Sequence, residues 1–241
     1  MPAVLARAFA LFQAGRPRPV HIEIPLDVLV ENADALLGSE PVSVARLWAE
    51  LALTWDAATR AQTLLLHTVL EALPGAVLVG DSTQPVYSAN LTLNLDHPRR
   101  WFNSSTGYGT LGYALPAAIG AWLGRGDGQP VVCLIGDGGL QFTLPELASA
   151  VEAHIPVIVL LWNNQGYEEI KKYMLNRAIE PVGVDIYTPD FIGIAKAMGC
   201  AAEGVDGVEP LRAALRAAAE RPGPTLIEID QGRWELAKPV I

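Results

Sequence analysis

Val131-Val132-Cys133-Leu134-Ile135-Gly136-Asp137-Gly138-Gly139 sets five consecutive apolar residues against an acid flanked by glycines. A run of this length without polar alternation predicts a strand buried on both faces, the habit of parallel sheets. A helix is expected from about Thr143. Working outward, Ala76 to Val79, Val157 to Leu161 and Thr225 to Ile229 read as further buried strands, with shorter extended pieces at Trp101-Phe102 and near Ala201. Helical spacing fills the gaps: from Asp56 to the stop at Pro74-Gly75, over Leu111 to Leu123, over Phe191 to Met198, and over Leu211 to Ala219. The alternation predicts an α/β fold, a doubly wound, mostly parallel sheet with helices on both faces. Such sheets bind ligands beyond the carboxyl ends of their strands, so the loops after Val79, Ile135 and Leu161 are where chemistry is expected.

The loop after Ile135 combines close backbone approach, through Gly136, Gly138 and Gly139, with one carboxylate, Asp137. Glycine-rich loops cradle oxyanions. An acid in the middle of an anion site is reconciled by an intervening hard cation such as magnesium. The loop after Leu161 reads Trp162-Asn163-Asn164-Gln165-Gly166-Tyr167 and offers neutral oxygens that could complete such a site. Twenty-four residues separate Gly138 from Asn163, enough for one helix and one strand that return the chain to a neighbouring strand end.

On these residues the sequence resembles the thiamine diphosphate (ThDP) enzymes of the pyruvate decarboxylase and acetolactate synthase group, whose signature is GDG, roughly two dozen residues, then NN. The similarity includes Gly80-Asp81-Ser82-Thr83-Gln84 and the stretch from Thr106 to Gly120, and it continues to Thr225. It implies a ThDP-binding fold with ThDP and magnesium as cofactors. By that resemblance Asp137, the Asn164 side chain and the Gly166 carbonyl bind the metal. Gly136, Gly138, Gly139, Thr83 and Gln84 lie against the diphosphate, with Asn164 beside them, although Thr83 and Gln84 also suit simple helix capping. Gly109 offers its carbonyl to the aminopyrimidine, and Leu111 takes the place of the apolar wedge that bends the cofactor. The implied activity is that of a lyase or transferase on a 2-oxo acid, either decarboxylase or acetolactate synthase-like. Tyr167, Glu168 and Glu169 occupy the region that faces substrate, and either glutamate could receive a cationic side chain such as a guanidino group. Carboxylates in a first helical turn are also explained by the helix dipole.

The same resemblance divides the chain. Residues 1–30 resemble the end of a pyrimidine-binding (PYR) domain, 31–54 a linker, 55–232 the diphosphate-binding (PP) domain, and 233–241 a C-terminal tail. The front of the PYR domain, with the glutamate that activates the cofactor, is not seen, so no catalytic acid is assigned. A fragment, a truncated product or half of a split enzyme is expected, with a homo-oligomer or a complementary PYR-domain chain as its partner, and the chain alone is expected to bind ThDP and magnesium weakly or not at all and to decarboxylate 2-oxo acids little. A catalytically silent ThDP-binding fragment is the alternative. Gly107-Tyr108-Gly109-Thr110-Leu111-Gly112 also fits the dinucleotide fingerprint GxGxxG, which keeps a nicotinamide-dependent oxidoreductase open, with Asp137 as its ribose-binding acid.

Composition removes other classes. The formal net charge is −9, without a Lys/Arg run, which argues against a nucleic-acid partner. Two cysteines without metal spacing offer no disulfide framework or zinc site. Apolar runs are strand-sized, no membrane span is expected, and a cytoplasmic setting follows.

Overall fold

The computed structural model describes residues 44–95 and 97–236. These fall into two compact units, one comprising residues up to Asp56 together with Asn94–Pro98, the other Ala57–Leu93 and the chain from Arg99 onward. In the first unit the expected linker contains a ten-residue helix, α1 (Val44–Leu53). It is closed by Thr54, whose amide and hydroxyl both donate to the Leu51 carbonyl, at 2.9 and 2.7 Å. The expected PYR remnant, residues 1–30, lies outside the described residues.

The second unit runs α2 (Ala57–Ala72), β1 (Val77–Gly80), α3 (Gln84–Thr92), β2 (Trp101–Asn103), α4 (Ala114–Arg125), β3 (Val131–Gly136), α5 (Asp137–Thr143), α6 (Glu146–Glu152), β4 (Ile158–Asn163), α7 (Glu168–Leu175), α8 (Phe191–Ala197), β5 (Ala201–Gly204), α9 (Val208–Ala219), β6 (Thr225–Asp230) and α10 (Gln231–Leu236). Six strands form one all-parallel sheet in the order β2-β1-β3-β4-β6-β5. Alternate strand residues supply the two faces. Val77, Val79, Cys133, Ile135, Val159 and Leu161 pack with Ala114, Leu115 and Ala118 of α4, Leu147 of α6 and Phe191 of α8. The intervening residues, including Leu134, Leu160 and Trp162, are equally buried and point to the side that α2, α3 and α9 occupy. Strands covered on both sides therefore read as continuous apolar runs. Among the described residues no helix is long and apolar enough to cross a membrane.

The chain leaves β1 toward β2, then returns past β1 to reach β3. The carboxyl ends of β1 and β3 thus flank a topological switch point, where doubly wound sheets open a crevice.

Three boundaries differ from the sequence reading. The helix expected over Leu111 to Leu123 begins at Ala114, because Gly109 and Gly112 adopt left-handed φ values of 68° and 80° and keep that stretch out of helical conformation. The helix expected from about Thr143 is α6, which begins at Glu146, and an unexpected short helix, α5, precedes it from Asp137, where neither Gly138 nor Gly139 has positive φ. The expected C-terminal tail starts inside α10, where Trp234 is buried and its indole donates to the Ala61 carbonyl at 2.9 Å.

Candidate functional site

A cleft of about 230 Å³ opens at the switch point. That is below the roughly 300–1,000 Å³ of a complete small-molecule pocket, and its Gly109 side is exposed to solvent. Every residue singled out from the sequence lines it: Thr83 and Gln84 after β1, Gly109 and Leu111 before α4, Gly136 to Gly139 at the start of α5, and Asn164 and Gly166 to Glu169 after β4. Ser82, Tyr87 and Ile170 line it as well.

At the end of β4 the two asparagines part. Asn163 is a latch: its amide nitrogen donates to Glu228 Oε1 on β6 at 2.6 Å and its oxygen accepts from the Gln165 amide at 3.1 Å. Gln165 then takes a left-handed φ of 62°, and the chain doubles back. One end of the Asn164 side-chain amide consequently lies 2.9 Å from the Gly166 carbonyl oxygen and 3.1 Å from Asp137 Oδ1. With its nitrogen inward, Asn164 donates to both. With its oxygen inward, three oxygens converge with no proton among them, which only a cation reconciles. Oxygen and nitrogen of such an amide are told apart by their surroundings, so either orientation is available to the same side chain. One carboxylate with neutral oxygens is a donor set for a hard divalent ion that keeps phosphate oxygens in its shell. Among the described residues no cluster of three His, Cys, Asp or Glu competes with it.

Asp137 is 1% exposed, and burial holds its carboxyl above the ordinary carboxylate range against the lowering effect of backbone amides, those of Gly138 and Asn164 foremost. Thr188 Oγ1 also donates to its Oδ2, at 3.5 Å. Among the described residues no lysine, arginine or histidine lines the cleft to answer this charge.

The glycines serve close approach rather than a sharp bend. A Cβ on Gly138 would lie 2.5 Å from the Tyr167 ring, one on Gly136 3.0 Å from Thr83 Oγ1, and one on Gly139 3.0 Å from Asp81 Oδ1. Bare backbone amides are thereby left at the cleft floor. Thr83 holds the N-cap position of α3 without a capping hydrogen bond from its side chain, which leaves the simple capping explanation unsupported for that residue.

Two contributors, Asp81 and Tyr87, and the pairings of Gln84 escaped the sequence reading. Asp81, fully buried, accepts from the Ser82 amide at 2.9 Å and from the Ala114 amide at 3.0 Å, so it ties the loop carrying Gly109 and Leu111 to the end of β1. Burial raises its pKa too, against its backbone hydrogen bonds. Tyr87 faces the cleft, its phenol pushed up by burial and by the Glu169 carboxylate. Gln84 uses both ends of its amide: Nε2 donates to Glu169 Oε1 at 2.7 Å, and Oε1 accepts from the Trp162 indole at 3.3 Å. The same indole donates to Gln231 Oε1 at 3.0 Å. None of these pairings has a sequence signature, because the partners of Gln84 lie 78 and 85 residues away.

The dinucleotide reading fails on this geometry. Gly107, Gly109 and Gly112 lie in the loop between the edge strand β2 and the start of α4 at Ala114, so the motif precedes its helix rather than opening it, and Asp137 faces Asn164.

Fold and cleft define a class: a doubly wound α/β domain whose strand-end crevice joins one carboxylate to neutral oxygens and close-packed glycines, the donor set for a hard cation and a phosphorylated ligand. Residues 81–229 match the family described as "Thiamine pyrophosphate enzyme, C-terminal TPP binding domain". The chain belongs to that family, which binds ThDP with magnesium. It is 42% identical over 188 residues to the Pseudomonas aeruginosa protein named "Probable 2-ketoarginine decarboxylase AruI", covering 77% of this chain and 33% of that protein. It is 30% identical over 260 residues to the acetolactate synthase large subunit of Parasynechococcus marenigrum, covering 95% and 42%. Among solved structures, the ThDP-dependent 4-hydroxybenzoylformate decarboxylase of Rhodococcus jostii RHA1 superposes with a TM-score of 0.63 at 29% identity, over 73% of this chain and 32% of that one. The benzoylformate decarboxylase of Polynucleobacter necessarius gives 0.64 at 26%, over 70% and 32%. The chain thus spans about a third of the length of most of these relatives.

Proposed function

We propose that this chain is the ThDP- and magnesium-binding part of a 2-oxo acid decarboxylase. The observation that carries the reading is that one end of the Asn164 amide lies within 3.1 Å of both Asp137 Oδ1 and the Gly166 carbonyl oxygen at the cleft. These three would hold magnesium. The amides around Gly136, Gly138 and Gly139, with Thr83, would receive the diphosphate, while the loop fastened by Asp81 would present the Gly109 carbonyl and Leu111 to the ring end. Bound ThDP supplies the electron sink that decarboxylation of a 2-oxo acid needs. The cleft walls orient and shield the substrate, with Tyr167, Glu168 and Glu169 at its distal end.

Decarboxylation is favoured over acetolactate formation by the higher identity to the relative named for 2-ketoarginine, 42% against 30%. The small, open cleft supports a site completed by another domain. That partner is a PYR domain carrying the activating glutamate, supplied by a complementary chain or by another subunit of an oligomer.

Calorimetric titration of the chain with ThDP in the presence and absence of magnesium tests the reading. Binding that requires magnesium and is lost in Asp137→Asn is expected. Binding indifferent to both would overturn it. Decarboxylation on mixing with a PYR domain separates a working enzyme from a silent binder.

A further inference from the structure

The cleft carries an imbalance of charge. Asp137, Glu168 and Glu169 line it, and among the described residues no basic one does. A divalent cation answers Asp137 and leaves two carboxylates facing a site whose substrate is itself an anion. Lys172 reaches Glu168 Oε1 at 3.9 Å and Glu169 Oε1 at 3.8 Å from outside the cleft, on a half-exposed side chain. Pairs of that kind are weak.

The two glutamates are held differently. Glu169 is anchored: Gln84 donates to its Oε1 at 2.7 Å, Gln84 is buried, and the far end of the Gln84 amide is fixed by the buried Trp162 indole. Trp162 is in turn fixed by Gln231. Glu168 has no such anchor among the described residues. A long flexible side chain held in one place at a cleft wall is preorganised to receive a donor, whereas a free one must be ordered at binding. The anchor is neutral, so it brings no counter-charge to Glu169.

We infer that Glu169 is the specificity-determining residue of this site: it receives the cationic terminus, of guanidinium or ammonium type, of the 2-oxo acid. Gln84 is the positioning residue that aims it. The inference rests on the reading of the cleft as a ThDP site for 2-oxo acids and adds which residue selects the side chain. It also gives Gln84 a duty other than diphosphate contact, since both ends of its amide are engaged before any cofactor arrives.

The test uses the full chain loaded with magnesium and ThDP, with 5-guanidino-2-oxopentanoate and the neutral-tailed 2-oxohexanoate as probes. Affinity is followed through the Trp162 indole N–H resonance, identified by its loss in Trp162→Phe. The wild-type chain is expected to prefer the guanidino acid by about 2- to 5-fold, the effect of an ion pair at a carboxylate that is 46% exposed. Glu169→Gln is expected to abolish that preference, and Glu168→Gln to keep it. Gln84→Leu is expected to weaken the preference and to shift the indole signal before any probe is added. Equal affinity of the two acids for the wild-type chain, no binding of either, a preference that survives Glu169→Gln, or one abolished by Glu168→Gln would each overturn the inference. ThDP titration of the same sample separates the two levels. A chain that binds ThDP but shows no guanidino preference refutes this inference alone, and one that binds no ThDP refutes the functional reading beneath it.

Discussion

Asp81→Asn tests how the fold fastens the site. The Asp81 carboxylate accepts from the Ser82 and Ala114 amides in a fully buried position. An amide replacement keeps one acceptor and turns an NH₂ group toward the other backbone N–H. Leaving one buried donor unsatisfied costs about 1–3 kcal/mol, and relief from burying a charge returns part of it, so a net loss of about 1–2 kcal/mol is expected near neutral pH. For a chain of this size that is about 2–8 °C in Tm. The sign of its pH dependence is also set. Burial raises the folded-state pKa above the ordinary value of 3.8. The folded chain therefore binds more protons than the unfolded chain between 3.8 and the raised value, and the contribution of Asp81 is full below that window and declines as pH rises through it. The stability gap between wild type and Asp81→Asn is expected to be wider near pH 4 than near pH 7 in paired urea melts. A gap that narrows on acidification would mean that the backbone amides outweigh burial and hold the carboxylate below its ordinary range. Because the Ala114 bond secures the Gly109–Tyr113 loop, ThDP affinity is expected to fall in the variant as well.

Gly166→Ala would place a Cβ 2.7 Å from the Val184 backbone carbonyl, which cannot swing aside, and a loss of about 1–3 kcal/mol by urea midpoint is expected. Trp162→Phe strips the donor shared by Gln84 and Gln231, and about 2–3 kcal/mol of destabilisation in the same assay is expected from the lost bonds and volume. ThDP with magnesium at about 100 times the dissociation constant is expected to stabilise the chain by about 2.7 kcal/mol, read as a rise of about 5–11 °C in Tm that a chelator reverses.

The parallel α/β architecture was legible because buried parallel strands leave unbroken apolar runs, as at Val131 to Ile135, and because glycines mark their ends. The grouping of Asp137, Asn164 and Gly166 in one cleft was legible from the return distance between the loops after β3 and β4. What escaped the sequence depends on sheet order. Asp81 reaches Ala114 across 33 residues, and Gln84 meets Trp162 across 78, because β1 and β4 both flank β3. Local spacing carries no trace of that arrangement. Gly138 and Gly139 were misjudged in a second way: they suit a turn by propensity, yet they lie in the first turn of α5, where Tyr167 and Asp81 leave no room for a Cβ.

The most direct test replaces magnesium with manganese, whose unpaired electrons broaden the phosphorus resonances of any diphosphate bound beside it. With wild-type chain, ThDP and manganese, strong broadening of both ThDP phosphorus signals is expected, and Asp137→Asn should abolish it together with tight manganese binding. Unbroadened signals from bound ThDP, or manganese held equally well by Asp137→Asn, would contradict an ion shared between Asp137, Asn164 and the diphosphate.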